Sequence, residues 1–122
     1  MNINRLLLAF VLVFSSLIFV ACSTNVKKGD IPSTANPQEE ISRVSGDLDS
    51  AVAKNIDVLA PSEYKKSLKF WEEAKADLAQ QKKQEDILND LRKSRSYLEN
   101  AYSVSENREA KASGLFEARR SD

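Results

Sequence analysis

Apolar residues fill the start of the chain without a break and then recur at spaced intervals. From Leu6 to Ala21 every residue is apolar except Ser15 and Ser16. These 16 residues fall short of the roughly 20 that a helix needs to cross the hydrocarbon layer of a bilayer. Met1 to Arg5 precede them with one basic side chain, small Ala21 closes them, and Cys22, Ser23, Thr24 and Asn25 follow. A charged start, an apolar middle and a small residue at the end are the layout of a secretory signal peptide, here residues 1–21. Residues 22–35 hold Gly29 and Pro32, are mostly polar and show no apolar period, which predicts a flexible tether.

The spaced pattern begins at Asn36. Asn is a strong N-cap, Pro37 suits the first helical position, and Glu39 falls three residues after the cap. Ile41, Val44, Leu48, Ala51, Val52 and Asn55 then recur at three- and four-residue steps, one face of a helix. Gly46 interrupts it and marks either a weak point or close packing. Pro61 pushes Ala60 out of helical geometry, so the first helix must end by Ala60, and Pro61 opens a second helix with Glu63 in its first turn. Tyr64, Leu68, Trp71, Ala74 or Lys75, and Leu78 form its stripe. Phe70 lies beside that stripe and is expected to widen it toward the first helix. Lys82 to Glu85 lacks apolar residues and predicts a turn, with Asp86 as the cap of a third helix. There Ile87, Leu91, Ser94, Leu98, Ala101, Ser105, Arg108, Ala112 and Leu115 follow heptad spacing, broadened by Leu88, Tyr102 and Phe116. The seam is half small or polar, too weak for a self-sufficient coiled coil. The third helix outruns the second, so beyond Glu106 it should project or meet something outside this chain.

The expected fold is all-α: two or three helices in residues 36–122, forming an antiparallel helical hairpin or small bundle with a long C-terminal helix. Composition agrees. Glycines and prolines number three each among 122 residues, too few for a turn-rich sheet. Charges balance at 18 basic and 18 acidic, and loss of residues 1–21 removes only Arg5, leaving a net charge of −1. Nothing in that balance suggests nucleic acid, which needs a basic face. The large apolar residues outside the leader are few, so the core must be thin.

Candidate chemistry is sparse. Ser62 and Lys65 have S-x-x-K spacing, which places serine and lysine on one helical face as in penicillin-binding enzymes. The companion motifs are absent and the chain is too short for that fold. Glu39-Glu40 and Glu72-Glu73 are adjacent acids that point about 100° apart on a helix and do not converge, so they read as solvated faces. There is no histidine, no phosphate-cradling glycine loop and no metal-ligand cluster, so no catalytic, cofactor-binding or metal residues are expected and the chain is not read as an enzyme. Tyr64, Leu68 and Trp71 share a face and read as core, leaving Tyr97 as the best candidate for an exposed aromatic.

Two resemblances add to this reading. Phe19-Val20-Ala21-Cys22 resembles the lipobox of bacterial lipoproteins, with Phe19 in place of the usual leucine. The resemblance implies cleavage before Cys22 and lipidation of Cys22 by fatty acyl chains such as palmitate. An ordinary secreted protein with a chance cysteine at the cut, or an uncleaved anchor, are the competing readings. Ser23 after the cysteine implies the outer membrane, facing the periplasm. "LAPSEYKKSLKFWEEAKADL" and "ILNDLRKSRSYLENA" resemble the uncharacterised helical-hairpin domain of Gram-negative lipoproteins, with Pro61, Tyr64, Leu68, Ala74, Leu78, Leu91 and Ala101 matching. In many relatives that hairpin precedes an OmpA-like peptidoglycan-binding domain, which 122 residues cannot also hold. The expectation is a lipid-anchored cell-envelope protein with a structural or protein-interaction role, joined to the membrane through its lipid. Its candidate partner surface is around Tyr102, Ala112, Leu115 and Phe116. The alternatives are a peptidoglycan-binding module, the N-terminal part of an OmpA-like protein, or a self-associating envelope coiled coil; the oligomeric state is not set by the sequence.

Overall fold

The computed structural model describes residues 30–121. Four helices follow one another: α1 (Pro37–Ala53), α2 (Ile56–Leu59), α3 (Pro61–Ala79) and α4 (Gln84–Arg120). No strand occurs among the described residues. The protein is all-α, an antiparallel α3–α4 hairpin with α1 laid across it.

Packing starts before α1. Ile31 is buried in the core. Arg92 Nε donates to its carbonyl (2.8 Å), and Gln84 Nε2 donates to the carbonyls of Ser33 (3.1 Å) and Ala35 (3.0 Å). The last residues of the expected tether, from Ile31, therefore lie against α4; residues 22–29 are outside the described residues.

Asn36 caps α1 as its sequence dictates, its side chain accepting from the backbone N–H of Gln38 at 2.9 Å and of Glu39 at 3.4 Å. Val44, Leu48 and Ala51 then enter the core. The helix ends sooner than Pro61 requires. Asn55 takes a left-handed conformation (φ 58°), which asparagine tolerates better than most residues. The chain turns there, and α2 carries Ile56 into the core. Val52 and Asn55, expected on the buried face, are exposed because the break redirects the chain at that point. Gly46 faces open space, with nothing within 4 Å of a Cβ built there, so it marks no close helix contact.

The α3–α4 turn carries no glycine, yet it closes as a Schellman motif. The Lys82 N–H donates to the Asp77 carbonyl and the Gln81 N–H to the Leu78 carbonyl, both at 3.0 Å, with Gln81 left-handed (φ 54°). Lys82 Nζ also reaches Asp77 Oδ1 at 2.7 Å. The turn thus falls slightly before the expected one. Lys83 occupies the cap position of α4 and Asp86 lies in its first turn, where a carboxylate suits the helix dipole without capping it.

The hairpin seam is made of small residues. Ser67 Oγ donates to the Ser94 carbonyl (2.7 Å) and Ser94 Oγ to the Ser67 carbonyl (2.8 Å), with both serines fully buried. Tyr64, Leu68, Trp71 and Leu78 are half-buried around this seam. Trp71 Nε1 donates to the Ile41 carbonyl at 3.0 Å and ties α3 to α1. Phe70 does not widen the face toward α1. It stacks on Tyr97 of α4, with centroids 5.6 Å apart and planes 4° from parallel.

On α4, Ile87, Leu91, Ser94, Leu98, Ala101 and Ser105 are buried at the expected heptad steps. Arg108 donates to the Leu59 carbonyl, and every described residue after it is exposed. The lengths account for this. The 37 residues of α4 span about 55 Å and the 19 of α3 about 28 Å, so the end of α4 projects past its partner.

An exposed glycine within a helix costs backbone entropy with no packing in return. Gly46→Ala is expected to raise the unfolding free energy by about 1 kcal/mol, measured by chemical denaturation.

Candidate functional site

The docking of α1 on α4 leaves a charged groove between them. It comprises a cavity of ≈ 670 Å³ beside the N-terminal end of α1 and a smaller one of ≈ 140 Å³ further along, and Asp47 and Arg95 line both. Glu40 lies under the larger cavity and is 4 % exposed. The expectation of a solvated Glu39-Glu40 pair therefore holds for Glu39 and fails for Glu40. Glu40 heads the row Glu40, Val44, Leu48, spaced by four, and so shares the buried face of α1.

Burial of a carboxylate demands compensation. Arg43 Nη1 supplies it at 2.7 Å from Glu40 Oε1. Arg95 Nη2 comes within 3.6 Å of Glu40 Oε2 and 3.7 Å of Asp47 Oδ2, both beyond hydrogen-bond reach. Glu40 Oε2 and Arg95 Nε are buried without a hydrogen-bond partner among the described residues. At the other end of the groove Lys54 Nζ sits 5.4 Å from the ring centroid of Tyr102, with Leu98 beside it. Burial, and then the charge of Asp47, raise the Tyr102 hydroxyl above its ordinary pKa; burial, followed by Asp57 and Asp49, does the same for Tyr64.

The other sequence candidates are scattered. Ser62 and Lys65 are both exposed. Glu72 is exposed, and Glu73 pairs with Lys69 at 3.7 Å. Tyr97 is half-buried by its stack on Phe70, with Lys66 Nζ 5.4 Å from its centroid. Tyr102 lies in the groove, apart from Ala112, Leu115 and Phe116 on the projecting end of α4, where Leu115 and Phe116 are 69 % and 68 % exposed. Cys22 is outside the described residues. Among the described residues no helix is long and apolar enough to cross a membrane, and no three potential ligands gather to hold a metal ion.

Sequence reasoning missed Glu40 and Arg95. The four-residue step from Glu40 to Val44 was a readable signal. Arg95 follows seam residue Ser94 directly, and only the placement of α1 shows that it faces two acids.

No protein-family model, curated protein or solved structure matches the chain.

A tyrosine whose folded-state pKa lies above its ordinary value of 10.0 adds stability at lower pH and loses it as the pH rises through the folded-state value. Thermal unfolding followed from pH 8 to 11 is expected to show falling stability above about pH 10, with a shallower fall in Tyr102→Phe.

Proposed function

We propose that this chain is a lipid-anchored lipoprotein of the bacterial cell envelope, held at the outer membrane facing the periplasm, with a structural or protein-interaction role and no catalytic one. The observation that carries the reading is the apolar leader ending in Phe19-Val20-Ala21-Cys22. The Cys22 thiol at that junction takes a diacylglycerol, the leader is then cut just before it, and the new amine accepts a further acyl chain. Two or more acyl chains hold a protein stably at a bilayer, at about 0.8 kcal/mol per buried CH₂, whereas one chain binds marginally.

The geometry supports a tethered module. Packing begins at Ile31, nine residues after Cys22, so a fully extended link reaches about 30 Å at most. Arg92 holds the Ile31 carbonyl, and Leu115 lies about 35 Å further along α4. The module therefore carries its anchor point near one end and an uncovered apolar pair, Leu115 and Phe116, near the other. That end of α4, with Ala112, is the surface offered to an envelope partner.

The second reading is a peptidoglycan-binding module or the front part of an OmpA-like protein. It is favoured by the Phe70–Tyr97 stack, with Lys66 and Lys93 within 5.4 Å and 5.0 Å of its rings. Sedimentation of the protein with purified cell-wall sacculi separates the two readings: co-sedimentation supports the second.

Cells fed labelled palmitate are expected to incorporate it into the wild-type protein and not into Cys22→Ser, which should also keep its leader by mass. A wild-type protein with the mass of unmodified polypeptide would falsify the anchor.

A further inference from the structure

We propose that the projecting end of α4 binds an acidic amphipathic helix of a partner protein, seated in line with α3. The proposal rests on the reading of this end as a partner surface and adds the class of partner.

The hairpin seam shows that a place is left open. In the register set by Ser67 and Ser94, Ala60 stands opposite Ala101 of α4. Seven residues on, Arg108 donates to the carbonyl of Leu59, the last residue of α2. Seven further, Leu115 lies on the same strip of α4 and is 69 % exposed, with Phe116 beside it. The helix thus carries its packing face past the last residue that covers it. From Glu109 to Arg120 every residue is exposed, and Gly114 lies among them. A single helix of that length is marginal in water, and a glycine weakens it further. A second helix on the open strip supplies the packing that is missing.

Side-chain chemistry sets what that helix carries. Arg108, Lys111, Ala112, Leu115, Phe116 and Arg119 recur at i, i+3, i+4, i+7, i+8 and i+11, the spacing of one helix face. That set contains no acid, because Glu106, Glu109 and Glu117 fall outside it. Lys111 and Arg119 flank the apolar residues along the chain, and neither forms an ion pair among the described residues. They stand two turns apart, about 12 Å along the axis. The complement is a helix with an apolar strip and carboxylates beside it at two-turn spacing.

Two other occupants fit less well. A second copy using the same strip sets basic residues against basic ones: Arg108 meets Arg119 when the helices run antiparallel, and like meets like when they run parallel. A planar bilayer is held off by α3. Packed helices lie about 8–10 Å apart, so α3 stands that far above the strip and a flat surface resting on α3 passes over Leu115. A helix in line with α3 fills that depth.

The test holds the full-length protein in phosphatidylcholine nanodiscs and titrates it into a fluorescein-labelled helical peptide, followed by anisotropy. The peptide carries leucine and alanine on one face and glutamates beside them at two-turn spacing; a second peptide has lysine at every glutamate. The glutamate peptide is expected to bind saturably, and the lysine peptide at least about tenfold more weakly. Leu115→Asp should abolish binding of the glutamate peptide, and Lys111→Glu combined with Arg119→Glu should reverse the preference. All three residues are exposed, so these changes leave the packed part of the fold intact. Equal binding of the two peptides would overturn the acidic class and leave a partner surface standing. Binding that persists in Leu115→Asp would overturn both. Absence of binding by either peptide would overturn the proposal, and so would a photoreactive side chain in place of Leu115 that labels phosphatidylglycerol added to the discs or a second copy of the chain.

Discussion

The fold depends on one contact, the exchange of hydrogen bonds between Ser67 and Ser94. Each hydroxyl donates to the other residue's carbonyl, at 2.7 Å and 2.8 Å, in a site with no exposure to solvent. A serine that bonds the facing backbone satisfies its own hydroxyl and lets two helices approach closely. In the antiparallel register that this pair sets, Ala60 falls opposite Ala101 and Ala74 opposite Ile87, all of them buried. Small residues thus recur every seven positions along α3, and the larger side chains, Tyr64, Leu68, Trp71 and Leu78, flank the seam. Trp71 then reaches across to the carbonyl of Ile41 and seats α1. The core is thin, and hydrogen bonds from side chain to backbone fix the arrangement that burial alone would leave loose.

Where backbone chemistry is local, the sequence was sufficient. The Asn36 cap, the start at Pro61 and the heptad steps of α4 were legible because each follows from residues close together in the chain, and the projection of α4 beyond Glu106 followed from its length against that of α3. Other features needed the tertiary partner. Gln81 closes a Schellman turn in a role usually taken by glycine, so nothing marked it beforehand. Asn55 was counted as part of a helix face, although asparagine is also a residue that accepts left-handed geometry. Phe70 was assigned to the wrong neighbour because periodicity gives a direction on the helix and not the element that lies there. Ala74 was placed on the buried stripe, but Ala60 and Ser67, which complete its seam, were overlooked for a related reason: a search for large apolar residues passes over small ones.

The candidate site was the least legible part. Glu40 follows the arithmetic of the buried row, but an acid invites a solvated reading. Arg95 has no local signature, and its importance comes from the distance to two carboxylates on another helix. The two ends of the domain differ in character. Near the docked N-terminal segment the groove is concave and charged, with Arg95 facing Glu40 and Asp47 across it. At the far end of α4 the surface is convex, with Leu115 and Phe116 uncovered, suited to a larger partner.

The central claim is that α4 is clamped by the hairpin seam over its first part and stands alone beyond Arg108. Backbone hydrogen exchange along α4 tests it most directly, because amide protection follows local packing. The account predicts strong protection from Ile87 to Ser105 and rapid exchange from Glu109 to Arg120, with the change falling within about one helical turn of Arg108. Uniform protection along the helix, or fast exchange around Ser94, would contradict it.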